Sequence, residues 1–424
     1  MTPEIKQRIE QIRRGEVPEG YVKKRKVVIP QQWGLPQIKD IASISSGSTP
    51  SRNNSEYWNG NIAWVTTGEL SSGHVNHTSE LITVKAVKET KMRIYPQGTL
   101  LMAMYGQGKT RGTVAILEID AAVNQACAAI TVKDGKSKFL FYQLKNSYQD
   151  IRKLSNTGNQ ENLNADIIKT YQVPWAPDEE QERISTILTT QDKVIELKEK
   201  RLAEKQRQKK YLMQQLLTGK KRLPGFSGEW KNIKLCEVLS ERKEKNVEQN
   251  LRICSVAVQK GVVDQVEHLG RSYAANDTSN YSVAHYGDII YTKSPTGDFL
   301  YGIVKQNLLQ ETVAVSPLYG VFTPLTFGLG YFLHTYFQSA ICARNYLLPI
   351  VQKGAKNTIN ITNDTFISSK LYLPLDVEEQ KAIADTFIAA DREIELLQQD
   401  IEQEKQKKKA LMQLLLTGIV RVKT

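Results

Sequence analysis

The chain has 424 residues, of which 40% are hydrophobic and 24% are charged, the balance of a soluble globular protein with room for two or three domains. Its longest apolar stretches fall far short of the ~18–20 residues that a bilayer span needs, and its first residues lack the apolar core of a secretory signal, so we exclude a transmembrane protein and expect a cytoplasmic one. Four scattered cysteines without a C-x-x-C pair suggest neither a disulfide framework nor a zinc ribbon, while a net charge of +12 favours a polyanionic partner.

The first predicted segment is an N-terminal helix with a basic lead-in, residues 1–30, and the second is a globular domain, residues 31–173. Short β-rich runs and an aromatic helical segment indicate mixed secondary structure in this domain. Its predicted elements are, in order, a strand led by Trp33, β runs at 113–119 and 126–132, a helix at 139–154, and a polar loop at 156–164.

The third segment, residues 174–222, is predicted to be one long helix, because no Gly or Pro interrupts it, acidic residues crowd its first turn and Thr-Gly closes its end. The same pattern recurs in the last segment, residues 374–424, at an offset of 199 residues. Glu-Glu-Gln at 179–181 returns at 378–380, and Leu-Met-Gln-x-Leu-Leu-Thr-Gly at 212–219 returns at 411–418. The chain is therefore a tandem repeat.

The repeated helices carry matched heptads, with a lysine, Lys209 or Lys408, interrupting both at the same place. Such a stripe could pack on a globular domain, but two matched copies favour the helices packing on each other as a coiled-coil pair. The predicted seam consists of Leu188, Ile195, Leu202 and Leu216 in the first helix and Phe387, Ile394, Ile401 and Leu415 in the second.

Between the helices, residues 223–373 form a second predicted globular domain with an entry linker. Its elements follow the same order: a strand led by Trp230, β runs at 301–305 and 312–315, an aromatic helix at 331–347, and a polar loop at 353–360. The two domains match in layout far better than in residues, the reverse of the helices. We therefore predict an α+β protein in which two α/β domains alternate with two long helices.

One stretch imitates a phosphate-binding loop. Ala-Met-Tyr-Gly-Gln-Gly-Lys-Thr at 103–110 satisfies the permissive motif and follows a strand-like run. A true phosphate loop opens a helix whose N-terminus holds the phosphates, whereas residues 111–116 have the composition of a strand. We therefore predict a tight surface loop rather than a nucleotide site.

Other catalytic signals are weaker. Pro-Asp at 177–178 with Glu196 and Lys198 imitates a nuclease signature, but the second copy lacks the lysine and both copies lie on the heptad helix. His74 and His77 lie in a polar turn with no third ligand nearby, which favours a solvated loop over a metal site. The sequence thus predicts no active site and no metal.

With two variable domains and two matched helices, the chain resembles the specificity subunit of type I restriction-modification systems over roughly residues 31–424. The most specific carriers are the two Leu-Met-Gln-x-Leu-Leu-Thr-Gly copies, the stretch at 220–230 that ends in Gly-Glu-Trp, and Gly-Ser-Thr-Pro-Ser at 47–51. The second domain departs from the pattern, because Glu-Arg-Lys-Glu-Lys-Asn at 241–246 stands where the last motif belongs. The resemblance therefore indicates the positions of the DNA-contacting loops in the second domain less directly.

The resemblance implies a non-catalytic subunit whose two target recognition domains each read half of an asymmetric, split DNA site. It also implies that the helices pair as an antiparallel coiled coil in a pseudo-twofold tandem repeat, fixing the gap and docking two modification subunits. Those partners would supply S-adenosylmethionine and methylate adenine, and motor-nuclease subunits would use ATP and Mg²⁺ in defence against foreign DNA, with no cofactor on this chain. The alternative is a coiled-coil docking protein whose globular domains bind protein or carbohydrate.

Phosphate contacts by Lys and Arg would supply affinity and position, and base-edge contacts would supply sequence. The candidate loops combine glycine, hydroxyl, amide and basic residues. In the first domain the candidates are Ser48, Thr49, Ser51, Arg52, Asn53, Tyr105, Gln107, Lys109, Arg111, Asn159 and Gln160. In the second domain they are Lys293, Ser294, Thr296, Lys353, Lys356 and Asn357. For each residue alone, an ordinary turn or solvated surface role is an equal alternative.

Overall fold

The computed structural model describes residues 2–106, 108–154, 162–271, 276–353 and 359–422, without the side chains of 269, 352–353 and 359–360. The chain divides into two compact units, one of Met1–Lys198 with Asp400–Thr424 and the other of Glu199–Gln399. Each unit contains one globular domain and half of each long helix, so both helices contribute to both units.

The first unit has mixed α and β structure. Its strands are β1 (Tyr21–Lys24), β2 (Val27–Pro30), β3 (Ala42–Ser46), β4 (Trp58–Val65), β5 (His74–Val75), β6 (Glu80–Ile82), β7 (Leu100–Ala103), β8 (Val114–Leu117), β9 (Ala121–Val123) and β10 (Cys127–Val132). Its helices are α1 (Pro3–Arg13), α2 (Ile38–Ile41), α3 (Val84–Thr90), α4 (Ser137–Asn146), α5 (Tyr148–Lys153), α6 (Ala165–Thr170) and part of α7 (Asp178–Leu216).

The strands of the first unit form a five-stranded sheet in the order β3-β10-β7-β8-β5, a three-stranded sheet in the order β6-β4-β9, and the hairpin β1-β2. The β5-β8 and β4-β9 pairs are parallel and the others antiparallel. Helix α4 is buried along most of its length and packs its aromatic side chains into the main core, which also takes residues from both long helices. The long helices are therefore part of the domain's core.

The second unit repeats this plan with shorter strands. Its strands are β11 (Trp230–Lys234), β12 (Leu239–Glu241), β13 (Cys254–Ala257), β14 (Gly261–Asp264), β15 (Ser282–Ala284), β16 (Ile289–Tyr291), β17 (Val304–Gln306), β18 (Val313–Val315), β19 (Gly320–Pro324), β20 (Gln352–Lys353), β21 (Ile359–Asn360) and β22 (Lys370–Pro374). Its helices are α8 (Gln265–Leu269), α9 (Phe327–Tyr336), α10 (Ala340–Leu347), α11 (Asn363–Ser368) and part of α12 (Val377–Leu415). The order β12-β19-β16-β17 forms its largest sheet, which is antiparallel, and the remaining strands pair two by two.

The Trp-led segments have equivalent places. In the second unit, β11 pairs antiparallel with β22 over five residues, starting at Trp230 opposite Pro374. In the first unit the corresponding pairing is reduced to two bridges, one between Gly34 and Trp175 and one between Gln37 and Gln172. The prediction of a regular strand led by Trp33 is thus wrong, although this segment does bridge to the extended run before the long helix, as expected.

Each aromatic segment predicted as one helix is two helices. The segment 139–154 breaks at Ser147 between α4 and α5, and the segment 331–347 breaks between α9 and α10. The second break has a clear local cause, because the Ser339 hydroxyl caps α10 by accepting the amide hydrogen bond of Cys342. The predicted loop at 353–360 is bounded by the paired strands β20 and β21.

The prediction of two long helices is confirmed, because α7 and α12 are both 39 residues long. In the first unit, Lys198 of α7 contacts Asp400 of α12, while Asp192 contacts Lys408. In the second unit, Lys205 contacts Glu393 through Nζ and Oε2 at 2.9 Å, while Lys209 contacts Asp391. Because higher numbers on one helix meet lower numbers on the other, the two helices pair antiparallel in each unit.

The predicted seam lies along these contacts. Leu188, Ile195, Leu216, Phe387, Ile401 and Leu415 are buried, and Leu202 and Ile394 are half-buried. The seam residues also pack against the globular domains. Leu188 and Leu415 belong to the core of the first domain, and Leu216 and Phe387 belong to that of the second. The two packing modes that the heptads left open therefore occur together.

Candidate nucleic-acid interface

The first candidate loop, residues 47–54, joins β3 to β4 and is held closely against the sheet. A Cβ on Gly47 would lie 1.8 Å from the Val123 carbonyl oxygen, so only glycine fits there. The indole N–H of Trp64 donates to the Ser48 carbonyl at 3.1 Å, and that of Trp58 donates to the Ser51 carbonyl at 3.1 Å. These contacts fix the course of the loop through residues that the sequence did not single out.

The predicted DNA contacts of this loop differ in what they offer. Thr49, Ser51 and Asn53 are exposed and Ser48 is half-buried. The Arg52 guanidinium lies 3.9 Å from the centroid of the Trp58 ring and forms a bidentate pair with Glu80, with Nη2 to Oε2 at 2.9 Å. The hydrogen bond from Arg52 lowers the pKa of the Glu80 carboxyl. Arg52 is thus exposed but already engaged as a brace of the loop.

The second candidate loop, residues 104–113, joins the antiparallel neighbours β7 and β8. No helix follows the Gly-Lys-Thr sequence, so the prediction of a strand after it is confirmed. Tyr105 and Lys109 are exposed. Arg111 is only 6% exposed, so it belongs to the base of the loop, and its predicted presentation to DNA does not fit its burial.

Two residues of α5 support this second loop from below. The Tyr148 hydroxyl donates to the Lys109 carbonyl at 2.6 Å. Arg152 donates from Nη2 to the Gly108 carbonyl at 2.8 Å and from Nη1 to the Arg111 carbonyl at 2.7 Å. Sequence inspection did not find these residues, because nothing local marks a donor for carbonyls about 40 positions away.

The second domain has a loop at the equivalent place. Residues 292–303 join β16 to β17, which are antiparallel neighbours as β7 and β8 are. Lys293 has a positive φ of 59°, and a Cβ on Gly302 would lie 2.8 Å from its backbone nitrogen, so the loop ends are tightly apposed. Burial lowers the pKa of the Lys293 ammonium, whereas Ser294 and Thr296 are exposed. The Tyr291 hydroxyl donates to the Tyr301 carbonyl at 2.7 Å, a brace of the same kind as Tyr148.

The remaining candidates cannot be placed by their side chains. Lys353 belongs to β20 through its backbone. The others lie outside the described residues: Gln107, Asn159, Gln160, Lys356 and Asn357.

The lysine that interrupts each heptad has a charged partner. In the first unit, Asp192 contacts the Lys408 ammonium and accepts the Tyr142 hydroxyl at 2.8 Å. Asp391 of the second unit does the same with Lys209 and with Tyr331, whose hydroxyl lies 3.0 Å away. Burial raises the pKa of both tyrosines, which therefore act as hydrogen-bond donors. The polar interruption thus ties both helices to their domain.

The start of each long helix is held by a second repeated cluster. Glu180 is buried, accepts the indole N–H of Trp33 at 2.9 Å, and pairs with Arg421 at 2.8 Å. The equivalent cluster in the second unit is Glu379 with Trp230, at 3.0 Å, and Arg222. The offset of 199 also relates Arg222 to Arg421, a signal in the sequence that would have identified both pairs.

The described residues contain no group of three or more His, Cys, Asp and Glu side chains that could hold a metal ion. His74 contacts Glu118, with Nδ1 to Oε1 at 2.8 Å, and His77 contacts Asn76 at 2.6 Å. Both histidines are exposed, but the predicted turn is wrong for His74, which lies in strand β5, whereas His77 follows that strand. Within the same residues, no helix is long and apolar enough to cross a membrane.

Comparison with known proteins adds independent information. The family model for the type I restriction modification DNA specificity domain matches twice, at residues 30–206 and 228–406. The MjaVIII specificity subunit of Methanocaldococcus jannaschii is 24% identical over 429 residues, covering 93% of this chain and 94% of that protein. The MjaIX specificity subunit of the same organism is 35% identical over 178 residues, but the match spans only 41% of this chain and 40% of that protein.

Solved structures show the same fold. The S subunit of a type I restriction-modification system from M. genitalium superposes with a TM-score of 0.58 at 12% identity, covering 93% of this chain and 98% of that one. A chain from a study of complex assembly in a type I R-M system gives a TM-score of 0.54 at 15% identity, covering 92% and 99%. Since the family model matches both halves of the sequence, the chain belongs to the family of type I restriction-modification DNA specificity subunits.

Proposed function

We propose that this chain is the non-catalytic sequence-recognition subunit of a type I complex and that each globular domain reads one half of a split, asymmetric DNA site. The observation that carries the proposal is the pair of equivalent loops. Residues 104–113 and 292–303 join equivalent antiparallel strands in the two domains yet share almost no sequence. Equivalent position with different chemistry is what two readers of different half-sites need.

The exposed groups suit this task. Thr49, Ser51, Asn53, Ser294 and Thr296 offer hydroxyls and an amide for base edges. Exposed lysines such as Lys109 would neutralise phosphates, and the net charge of +12 would attract duplex DNA over a distance. Affinity and sequence discrimination would then come from separate sets of residues, as in other DNA-binding proteins.

The paired helices α7 and α12 would dock two modification subunits, since the repeat presents equivalent helix surfaces twice. Those subunits would supply S-adenosylmethionine and methylate adenine. Motor-nuclease subunits, with ATP and Mg²⁺, would complete the restriction complex. In this assignment the present chain chooses the site and its partners carry out the reactions.

The experiment is a domain exchange read by methylation mapping. Residues 31–173 are replaced by the matching domain of a related subunit, and the chain is expressed with its modification subunit in a host whose genome is then mapped for methyladenine. We expect one half of the recognised sequence to change while the other half and the gap stay the same. A swap that altered both halves would refute independent reading.

A further inference from the structure

The loop between β7 and β8 borders a cleft of about 690 Å³ in the first unit. Its lining comes from loop residues 108–110, 112 and 113, from Val114 of β8, from α4 and α5, and from Thr67, Gly68, Ser71 and Gly73 of the turn before β5. Of the described residues, three with cationic side chains line it, Lys109, Lys145 and Arg152, and no Asp or Glu does so. A second cleft of this unit, beside the start of α7, has a lining of mixed charge, in which lysines alternate with acidic residues: Glu118, Asp178, Glu179 and Glu182.

Three carbonyl oxygens on the loop side of the cleft already have hydrogen-bond donors. The carbonyl oxygens of Gly108, Lys109 and Arg111 would repel an anion, but each already accepts a hydrogen bond from Tyr148 or Arg152. On its loop side the cleft therefore presents carbonyls that already have donors, beside the exposed ammonium of Lys109.

Backbone geometry shows that this loop shape is specific. Gly108 and Gly112 have positive φ angles of 63° and 83°, and a Cβ on Gly112 would lie 3.2 Å from Cγ of Arg152. The loop and α5 are thus closely fitted to each other. Losing the donors of α5 would release the carbonyls and the loop would relax.

Lys145 is the lysine of the cleft whose charge has no acidic partner among the described residues. Its Nζ lies 5.1 Å from the centroid of the Phe141 ring and forms no ion pair with a described residue. Burial and the charge of Lys408 both lower the pKa of its ammonium, although Asp192 acts in the opposite direction. A bound anion would relieve this excess of positive charge.

We propose that the cleft formed by loop residues 108–113, α4 and α5 binds the phosphate backbone of DNA, with Lys109 and Lys145 contacting phosphate and Tyr148 and Arg152 positioning the loop. This inference rests on the proposed function, because it names where the first recognition domain holds the DNA backbone. It adds three residues, Lys145, Tyr148 and Arg152, that the sequence did not indicate.

The test measures equilibrium binding of the full chain with its modification subunit to two duplexes, one carrying the mapped site and one of random sequence, over a range of salt. For Lys109→Gln and for Lys145→Gln we expect the slope of log K against log salt to fall by about 1, with equal weakening on both duplexes. The matched control is Lys23→Gln, an exposed lysine of β1 that does not line the cleft. An unchanged slope in both cleft variants, or an equal fall in the control, would overturn the proposal.

The positioning residues need a readout that loss of stability alone would not change. Tyr148→Phe should weaken both duplexes about 5-fold without lowering the melting temperature by more than Tyr21→Phe, which loses a more deeply buried hydroxyl bond, to the Gly418 carbonyl at 2.7 Å. Arg152→Lys and Arg152→Gln both lose the fork of two bonds to the loop carbonyls, so both should weaken affinity on both duplexes. Arg152→Lys retains the charge and should keep the salt slope of the wild type. If Arg152→Lys matched wild type on both counts, the positioning role would be refuted.

Two further outcomes separate this inference from others. If the wild-type complex does not bind duplex DNA at low salt, the proposed function itself fails. If the isolated chain binds ATP and Lys109→Gln removes that binding, the cleft is a nucleotide site and the inference is wrong.

Discussion

The buried ion pair at the start of α12 allows a quantitative test of what holds the repeated helices to their domains. The Glu379 side chain is 1% exposed, and it accepts hydrogen bonds from Arg222 and from the indole of Trp230. Removing one partner of a buried pair costs ~3–5 kcal/mol, because the remaining charge is left without compensation. Arg222 is 25% exposed and the indole bond survives, so we expect about 3 kcal/mol for Arg222→Met.

A loss of this size is easily measured. For a unit of this size, 1 kcal/mol corresponds to ~2–4 °C, so the melting temperature of the second unit should fall by about 6–12 °C. Hydrogen exchange of the amides that join β11 to β22 would localise the effect to this unit. The control is Arg14→Met, which removes a helix-surface pair with Glu10 at 69% and 60% exposure and should cost less than about 0.5 kcal/mol.

The double variant Arg222→Met with Glu379→Met decides the mechanism. If the cost of the single variant comes from an uncompensated carboxylate, removing Glu379 as well should recover most of the lost stability. A single variant that loses less than about 1 kcal/mol, or a double variant that is no better than the single one, would refute the reasoning. The same experiment on Arg421 and Glu180 tests the first unit independently.

Three further predictions concern other parts of the chain. Burial lowers the pKa of Lys305 from its usual 10.5 to about 8, and the charge of Lys209 adds to the effect, so the protonated lysine destabilises the folded state below pH 10.5. Lys305→Met should therefore stabilise the second unit at pH 7 by up to about 3 kcal/mol, a gain that is constant below pH 8 and vanishes by pH 10.5. Denaturation curves that show a gain independent of pH would contradict this. The isolated chain should transfer no methyl group from S-adenosylmethionine to DNA, and radiolabel incorporation by the pure protein would disprove it. Inserting seven residues between Glu199 and Arg207 keeps the heptad in phase and lengthens the helix by about 10 Å, so methylation mapping should show a gap longer by up to about three base pairs. Inserting two residues, which rotate the helix by ~100° each, should mispair the helices and abolish activity. An unchanged gap in an active seven-residue variant would show that another element sets the spacing.

The long helices could be predicted from the sequence because their determinants are local and repeated. Helix-forming residues, an acidic first turn and a closing glycine all lie within each segment, and Gly219 and Gly418 indeed have positive φ angles. The breaks inside the aromatic segments were missed because apolar periodicity continues across Ser147 and Ser339. Ser339, whose side chain caps the new helix, looks in sequence like a polar position on the face of the old one, and Ser147 makes no side-chain cap that would mark its break.

The candidate loops could be located but not their supports. Glycine, proline and hydroxyl residues mark the loops at 47–54 and 104–113 locally. The residues that hold them, Trp64 and Tyr148, lie 16 and 39 positions away from the carbonyls they bond. Such pairings depend on the register of strands and on the packing of α5, which no local pattern specifies. For the same reason, the sequence did not show that the exposed Arg52 is stacked on Trp58 and paired with Glu80, or that Arg111 is buried.

The contrast between matched helices and unmatched domains has a physical cause in these contacts. Four carboxylates, those of Glu180, Glu379, Asp192 and Asp391, each accept a hydrogen bond from an aromatic side chain of their domain and pair with a basic residue of the repeated segments. Substitution of any one would leave both partners without their acceptor. A loop such as 104–113 needs only glycines at its turns and donors for its carbonyls, and Tyr291 meets the same need in the second domain with a different sequence. Residues on the exposed side of such a loop can therefore change without disturbing the frame. If these loops read DNA as proposed, this freedom lets one architecture serve different target sequences.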